Sequence, residues 1–284
     1  MTIDLRPVVA ADVKPLARIC YEAFGALHER HSTPRDFDSL ETAEMVIGML
    51  ASNPAFAGFA ARVDGRLVGS NFISFVDEVA GVGPITVDPA CQGAGVGKAL
   101  MRAVLEEASR RGVQQVRLLQ EAINTTSLSL YTSLGFEWRD SVAIMLAGGK
   151  GDSACRPMRS RDLDSVERIA ERQYGASRRR EAESALAAGL PAFVRESRGE
   201  VTAYLLPGFM GHGFGPDVES MAALVGHAAT TAPAMFHRIF APLSQGSFYR
   251  ELLRRGCRTV KVMSYMTVGP YTPPRGVWMP SILN

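Results

Sequence analysis

The stretch "VDPACQGAGVGKAL", residues 87–100, places Gly93, Gly95 and Gly97 within five residues. Gln92 stands just before them and a helix-like run follows. Glycine adopts left-handed backbone angles without a steric penalty and lets another group approach the main chain closely. A helix that opens directly after such a turn leaves its first N–H groups without internal acceptors. Those groups, with the positive end of the helix dipole, favour an anion. The stretch therefore predicts a loop that holds a phosphate-bearing ligand.

The flanking pattern sets the loop in a fold. "GVGPITVDP" reads as a strand that ends at Pro89, and 96–111 as a helix that ends at Gly112. That helix carries Leu100, Val104 and Ala108 on one face. Upstream, 2–9 reads as a strand, 11–25 as a helix, and 33–52 as a helix capped by Ser32 or Thr33. "AFAGFAARVDGRLVGSNFISFV" reads as two strands around an Asp64-Gly65 turn. Downstream come strand "VQQVRLL", helix "TTSLSLYTSL" closed by Gly135, and strand "FEWRDSVAIML". Four strands precede the long helix, which departs from the steady alternation of a doubly wound sheet.

Three loop types fit glycines at this density. A nucleotide P-loop needs GxxxxGK[ST], but the spacing here is one residue short and Ala99 replaces the magnesium-binding hydroxyl. A dinucleotide fingerprint needs GxGxxG, but the third glycine comes a residue early. The third reading is Q-x-x-G-x-G, from Gln92, Gly95 and Gly97. With the preceding strand, the following helix, Asn124 and "SLYTSLGF" ending at Phe136, it resembles the GNAT superfamily of N-acetyltransferases over roughly residues 3–147.

The resemblance implies an α+β fold, a mixed and mostly antiparallel central sheet flanked by helices. It implies acetyl-coenzyme A as cosubstrate and direct acetyl transfer to a primary amine of a small molecule or peptide, in a ternary complex without an acyl-enzyme. Its coenzyme residues would be Ile85, Thr86 and Val87 on the strand, and Gln92, Gly93, Ala94, Gly95, Val96, Gly97 and Lys98 on the loop. Asn124, Ser127 and Tyr131 on the later helix would complete them. An N–H near Ile85 or Thr86 would polarise the thioester carbonyl. Tyr131 would protonate the departing thiolate. Glu121 is the candidate general base, with Asp77, Glu78 or a water relay as alternatives. Cys91 has no visible histidine partner and reads as a packed thiol. A non-catalytic acyl-coenzyme A sensor remains the alternative function, and a P-loop phosphotransferase a more distant one.

The chain also repeats itself. "RPVVAADVKPLARICYEAFG" from Arg6 matches "RPMRSRDLDSVERIAERQYG" from Arg156 without a gap. Each reads as the end of a strand, an Asp N-cap (Asp12 or Asp162) and an amphipathic helix. "SFYRELLRRGC" from Ser247 echoes "SLYTSLGF" from Ser129, which puts Tyr249 opposite Tyr131. The expected domains are 1–148, with the loop, and 153–284, a degenerate copy in which "GFGPDVES" runs from a strand straight to Asp217 as a helix cap. Its proline-rich tail contains Tyr271, Trp278 and Ile282 and is expected to pack.

Composition narrows the class. Hydrophobic residues make up 46% and charged residues 21% of 284, the balance of a globular protein. Residues 1–148 carry a net charge of −4 and the remainder +6. No apolar run reaches membrane-spanning length, and the N-terminus lacks the pattern of a signal peptide. The four cysteines are far apart, which predicts neither a disulfide framework nor a zinc site. His28 and His31 lack a third ligand at sensible spacing, so no metal is expected. The expected setting is cytoplasmic, with no nucleic-acid or membrane partner and with a homodimer possible.

Overall fold

The computed structural model describes residues 2–283. The chain divides into two compact units. The first runs to Leu118 and adds Ile123–Glu137 and Thr267–Gly269. The second takes Leu119–Ala122, Trp138–Met266 and the chain from Pro270 onward.

The first unit contains β1 (Ile3–Pro7), α1 (Val13–Arg30), α2 (Leu40–Ser52), β2 (Phe56–Val63), β3 (Arg66–Ser74), β4 (Ala80–Val82) and β5 (Thr86–Val87). α3 (Val96–Arg110), the start of β6 (Val116–Glu121) and α4 (Thr125–Ser133) complete it. The strand order is β1-β2-β3-β4-β6, with β5 beside β3, and only the β4–β6 ladder is parallel. The mixed, mostly antiparallel sheet expected from the sequence is therefore present. β2 and β3 are joined by Asp64 and Gly65 at φ 48° and 81°, the two left-handed residues of a tight hairpin turn. Side chains alternate across the sheet. Ala60 and Phe72 pack with Leu16, Cys20 and Ile47 of α1 and α2. Ala61 and Val68 pack on the opposite face with Val96 and Leu100 of α3.

Three local expectations change. Asp12 does not cap α1 forward: its Oδ2 accepts the Val9 N–H behind it at 3.1 Å, and Arg6 donates to its Oδ1 at 2.7 Å. The helical path begins with a 3-10 turn at Ala10–Asp12, so the carboxylate serves the turn's own first N–H. α1 runs on to Arg30, and α2 starts at Leu40, with Ser39 as the cap that accepts Thr42 N–H at 3.3 Å. Pro34 lies between them, and proline disfavours helical angles in the residue before it. The strand predicted over "GVGPITVDP" is broken into β4 and β5 around Pro84, which has no N–H for a ladder.

The second unit holds β7 (Glu137–Leu146), β8 (Cys155–Pro157), α5 (Leu163–Tyr174), α6 (Arg179–Ala187), β9 (Phe193–Ser197), β10 (Glu200–Leu205) and β11 (Gly213–Gly215). α7 (Val218–Thr231), β12 (Arg238–Pro242), α8 (Gly246–Arg254), β13 (Arg258–Val268) and β14 (Val277–Met279) follow. One sheet runs β14-β11-β10-β9-β8 and is antiparallel throughout. β7 lies between β12 and β13. α7 is buried on every face from Ser220 to Gly226 and forms the centre of the core with Ala203, Leu205, Ile239 and Phe248.

The internal repeat extends to hydrogen bonds. Arg156 donates to Asp162 at 2.7 Å, and Asp162 accepts Arg159 N–H at 2.8 Å, as Arg6, Asp12 and Val9 do. α4 and α8 each have nine residues and are followed by Gly135 and Gly256 at φ 89° and 90°. In that register Asn124 corresponds to Gln245 and Tyr131 to Leu252. Tyr249 lies about one turn early, and its hydroxyl pairs with Thr259 Oγ1 at 2.8 Å. The sequence echo at "SLY" and "SFY" was therefore three residues out of register.

Candidate functional site

The glycine loop is built from β5 forward. Asp88 caps a 3-10 turn over Pro89–Cys91 by accepting Ala90 N–H at 2.9 Å, and Arg66 holds the same carboxylate. Gln92 turns its side chain back and donates from Nε2 to Val87 O at 3.2 Å, which closes the loop on its strand. Gly93 and Gly95 take φ 81° and 85°. A Cβ at either would meet nothing within 4 Å, so backbone angle alone demands glycine there, and the space in front is open. Gly97 differs: a Cβ would come within 3.4 Å of Leu130 Cδ2 on α4.

Gly95 is the N-cap of α3 and has no side chain to offer the helix. The first helical bond runs from Ala99 N–H to Gly95 O at 3.0 Å. The N–H groups of Val96, Gly97 and Lys98 therefore precede any acceptor in their own helix. Ala94 is half-buried, and the Lys98 side chain is exposed beside this mouth.

β5 offers a second set of donors. Asp88 N–H reaches Val68 O at 2.8 Å, and Thr86 stands opposite Ser70. Alternation in an antiparallel pair then points the Thr86 amide to β3 and the Ile85 and Val87 amides to the other edge. The Gln92 bond to Val87 O lies on that outer edge. The β4–β6 pairing covers Ala80 and Gly81, so among the described residues β5 has β3 as its one strand neighbour.

α4 carries the third component. Asn124 is its N-cap, and its Oδ1 accepts Ser127 N–H at 3.0 Å. Tyr131 lies in the last turn, 5% exposed, with its ring 6.0 Å from that of Phe136. Burial pushes the phenol up to about 12, against a hydrogen bond with Ser127 that lowers it. The hydroxyl is thus neutral and able to donate across the physiological range.

Glu121 falls in the second unit, 5% exposed and ion-paired with Lys261, whose side chain is 8% exposed. Asp77 is buried and Glu78 exposed in the bend between β3 and β4. His28 is fully buried and bonded to Thr33 Oγ1 at 2.9 Å and Asp36 Oδ2 at 3.2 Å, and His31 is exposed. Cys91 is half-buried, and its sulfur lies 3.9 Å from Arg66 Nη2.

Sequence reasoning named Thr86 but missed Ser70 opposite it. Ser70 and Thr86 face each other across β3 and β5, at 0% and 3% exposure, and neither oxygen has a hydrogen-bond partner. Only the cross-strand register brings them together, and that register depends on the break at Pro84. Among the described residues no helix is long and apolar enough to cross a membrane.

Mycothiol acetyltransferase of Actinosynnema mirum is 40% identical over 93 residues, which cover 31% of this chain and 31% of that relative. The chain thus matches about a third of that curated relative's length. A protein of Pyrococcus horikoshii assigned provisionally as an acetyltransferase shares the fold over 99% of this chain and 94% of its own, with a TM-score of 0.79 at 16% identity. A GCN5-related N-acetyltransferase of Sphaerobacter thermophilus does so over 97% and 98%, with a TM-score of 0.61 at 14% identity. The model of the acetyltransferase (GNAT) family matches residues 15–136, the segment that runs from α1 through the loop to the end of α4. Residues 15–136 therefore belong to the acetyltransferase (GNAT) family.

Proposed function

We propose that the first unit binds acetyl-coenzyme A and passes its acetyl group directly to a primary amine of a small molecule or peptide. One observation carries the reading: α3 opens at Gly95, left-handed and without a side-chain cap, two residues after left-handed Gly93, and both face open space. A pyrophosphate satisfies the N–H groups at that mouth, and the helix dipole adds about 0.3–1 kcal/mol. The amides of Ile85 and Val87 on the outer edge of β5 are suited to the amides of the pantetheine arm and to the thioester oxygen.

The amine nitrogen attacks the thioester carbon, and the carbonyl oxygen gains the negative charge that a strand N–H accepts. The C–S bond then breaks. The Tyr131 phenol gives its proton to the sulfur, the amine's proton leaves to solvent, and the tyrosinate regains a proton from there. A phenol raised to about 12 holds that proton at any working pH. The ion pair of Glu121 with Lys261 occupies the candidate base and favours a solvent route for the amine proton. The same pair keeps the sensor reading in view, because coenzyme binding needs no base.

Tyr131→Phe tests the step. The expected result is a fall of about 100-fold in kcat, with coenzyme affinity and the acceptor KM unchanged. Thiol release from acetyl-coenzyme A across a panel of amines and peptides is the assay. An unchanged kcat removes Tyr131 from the chemistry. Calorimetric binding without release on any amine of the panel supports the sensor instead.

A further inference from the structure

The outer edge of β11 in the second unit is occupied, and its occupant is the chain's own tail. Gly213, Phe214 and Gly215 pair with Met279, Trp278 and Val277 of β14. β11 corresponds to the β4–β5 segment of the first unit: each follows the third strand of its repeat and precedes the helix that bears or has lost the loop. The outer edge of β5 is the one assigned above to pantetheine.

The clamp on this strand repeats the correspondence. Gln245 stands at the N-cap of α8, as Asn124 does for α4. Its amide embraces one peptide unit on each side of Trp278: Nε2 donates to Trp278 O at 2.8 Å, and Oε1 accepts Trp278 N–H at 3.2 Å. The rest of the tail is tied in the same unit. Arg275 N–H reaches Gln173 O at 2.6 Å, and Ile282 N–H reaches Phe209 O at 2.9 Å. Gly276, at φ 69°, has Gly215 O only 2.8 Å from where a Cβ would stand, so the tail enters the slot by close backbone contact. Trp278 is 4% exposed, with its ring 5.4 Å from that of Tyr265 and 6.5 Å from that of Tyr174.

We propose that residues 277–279 act as a built-in surrogate for a pantetheine arm, filling a vestigial coenzyme slot in the second unit. This rests on the reading that the first unit holds coenzyme A along β5. A peptide strand and pantetheine present the same chemistry to a strand edge: an extended chain with amide donors and acceptors. The slot keeps its preference for that shape but has lost the phosphate grip, because Asp217 Oδ1 accepts Ser220 N–H at 2.8 Å at the mouth of α7.

The test uses the full chain and a version that ends at Gly269, both saturated with coenzyme A. Pantetheine, which has no pyrophosphate, is then added at millimolar concentration. The expected result is a further rise in Tm for the shortened chain and none for the full chain. A synthetic peptide of residues 270–284 abolishes the difference. A folded shortened chain that ignores both pantetheine and the peptide overturns the proposal. If the shortened chain does not fold even with the peptide, Gln245→Ala in the full chain decides. Its Trp278 amide is expected to exchange with deuterium about tenfold faster, as for the loss of one hydrogen bond; an unchanged rate overturns the clamp. Failure of the underlying reading is separate, since coenzyme A alone would then leave the Tm of the full chain unmoved.

Discussion

α3 and α7 hold the same place in their two units and differ at the first turn. α3 begins at Gly95, itself left-handed and without a side-chain cap, two residues after left-handed Gly93. α7 begins at Asp217, whose carboxylate takes the Ser220 N–H at 2.8 Å. The one helix mouth has no cap from its own sequence, and at the other Asp217 takes up the Ser220 N–H. The packing follows. α3 buries one stripe, Val96, Leu100, Val104 and Ala108, whereas α7 is buried all round from Ser220 to Gly226. The uncapped helix keeps an exposed face, and the capped helix is core. The two units thus differ by a short change at a cap, at the place where the proposed coenzyme site begins.

The sharpest way to break the comparison is to give α3 the cap of α7. Gly95→Asp puts a carboxylate where a pyrophosphate is expected. Two like charges 4 Å apart near a protein surface repel by about 4 kcal/mol, so coenzyme A is expected to bind at least about 100-fold more weakly. Aspartate tolerates left-handed angles better than most residues, so the fold survives the change. Calorimetry reads the affinity and circular dichroism the fold. Undiminished binding to a folded Gly95→Asp protein removes the helix mouth from the coenzyme site.

Acidity should separate the units next. In the second unit Arg178 is 1% exposed, and it donates to Glu181 at 2.8 Å and to Tyr174 OH at 3.3 Å. His212 Nδ1 lies 3.2 Å from Tyr204 OH, and its Nε2 lies 3.0 Å from Glu181 Oε2. Burial and Arg178 bring His212 down to about 4. Burial raises Glu181, but Arg178 and His212 outweigh it and leave the carboxyl at about 2. Both groups bind protons more readily when unfolded, so stability falls as pH drops below about 6.5 and continues to fall through 4 and 2. The expected loss is a few kcal/mol, on the order of one to two shifted groups. Tyr131 works in the opposite direction: its contribution is complete below about 10 and is lost as pH rises through about 12. Trp138 and Trp278 both belong to the second unit, so tryptophan fluorescence follows its acid transition. An emission profile flat from pH 7 to pH 4 would contradict the network.

Much of this was legible in the sequence. The α3 start, the hairpin at Asp64-Gly65 and the absent loop before Asp217 all follow from residue types with few permitted conformations. Elsewhere local signals misled. Asp12 looks like a forward cap because capping by aspartate is common, yet a 3-10 turn reverses its direction. Tyr249 matched Tyr131 by letters, although both helix ends set a register that pairs Tyr131 with Leu252. The Glu121–Lys261 pair joins residues 140 positions apart, and the tail on β11 joins ones about 64 apart, as Phe214 and Trp278. No local pattern announces such contacts. The composition of the tail announced only that it would pack.

The cap can also be removed from α7. Asp217→Ala is expected to cost about 1 kcal/mol, the usual loss at an N-cap, read as a lower denaturation midpoint. It is expected to create no second coenzyme site, because the two left-handed glycines and the open space before them have no counterpart at Gly215-Pro216. A stoichiometry of two coenzymes per chain in Asp217→Ala would show that the cap alone silences the second unit.

The smallest expected effect concerns the strands before the two helices. β11 is Gly-Phe-Gly and carries no side-chain polar atom, while β5 keeps Thr86, with its hydroxyl buried beside that of Ser70 and no partner for either. A buried hydroxyl that makes no hydrogen bond is destabilising by about 1 kcal/mol or more. Thr86→Val keeps the shape of the side chain and removes the oxygen, so stability is expected to rise by up to about 1 kcal/mol. The Thr86 amide faces β3, which leaves the hydroxyl as the residue's remaining polar group, and an unsatisfied atom in this strand suits a part in the proposed coenzyme site. If that is its role, the stabilised variant shows a higher KM for acetyl-coenzyme A. A variant that is stabilised with an unchanged KM would place the hydroxyl outside the site, and one that is destabilised would show that the oxygen has a partner in solution.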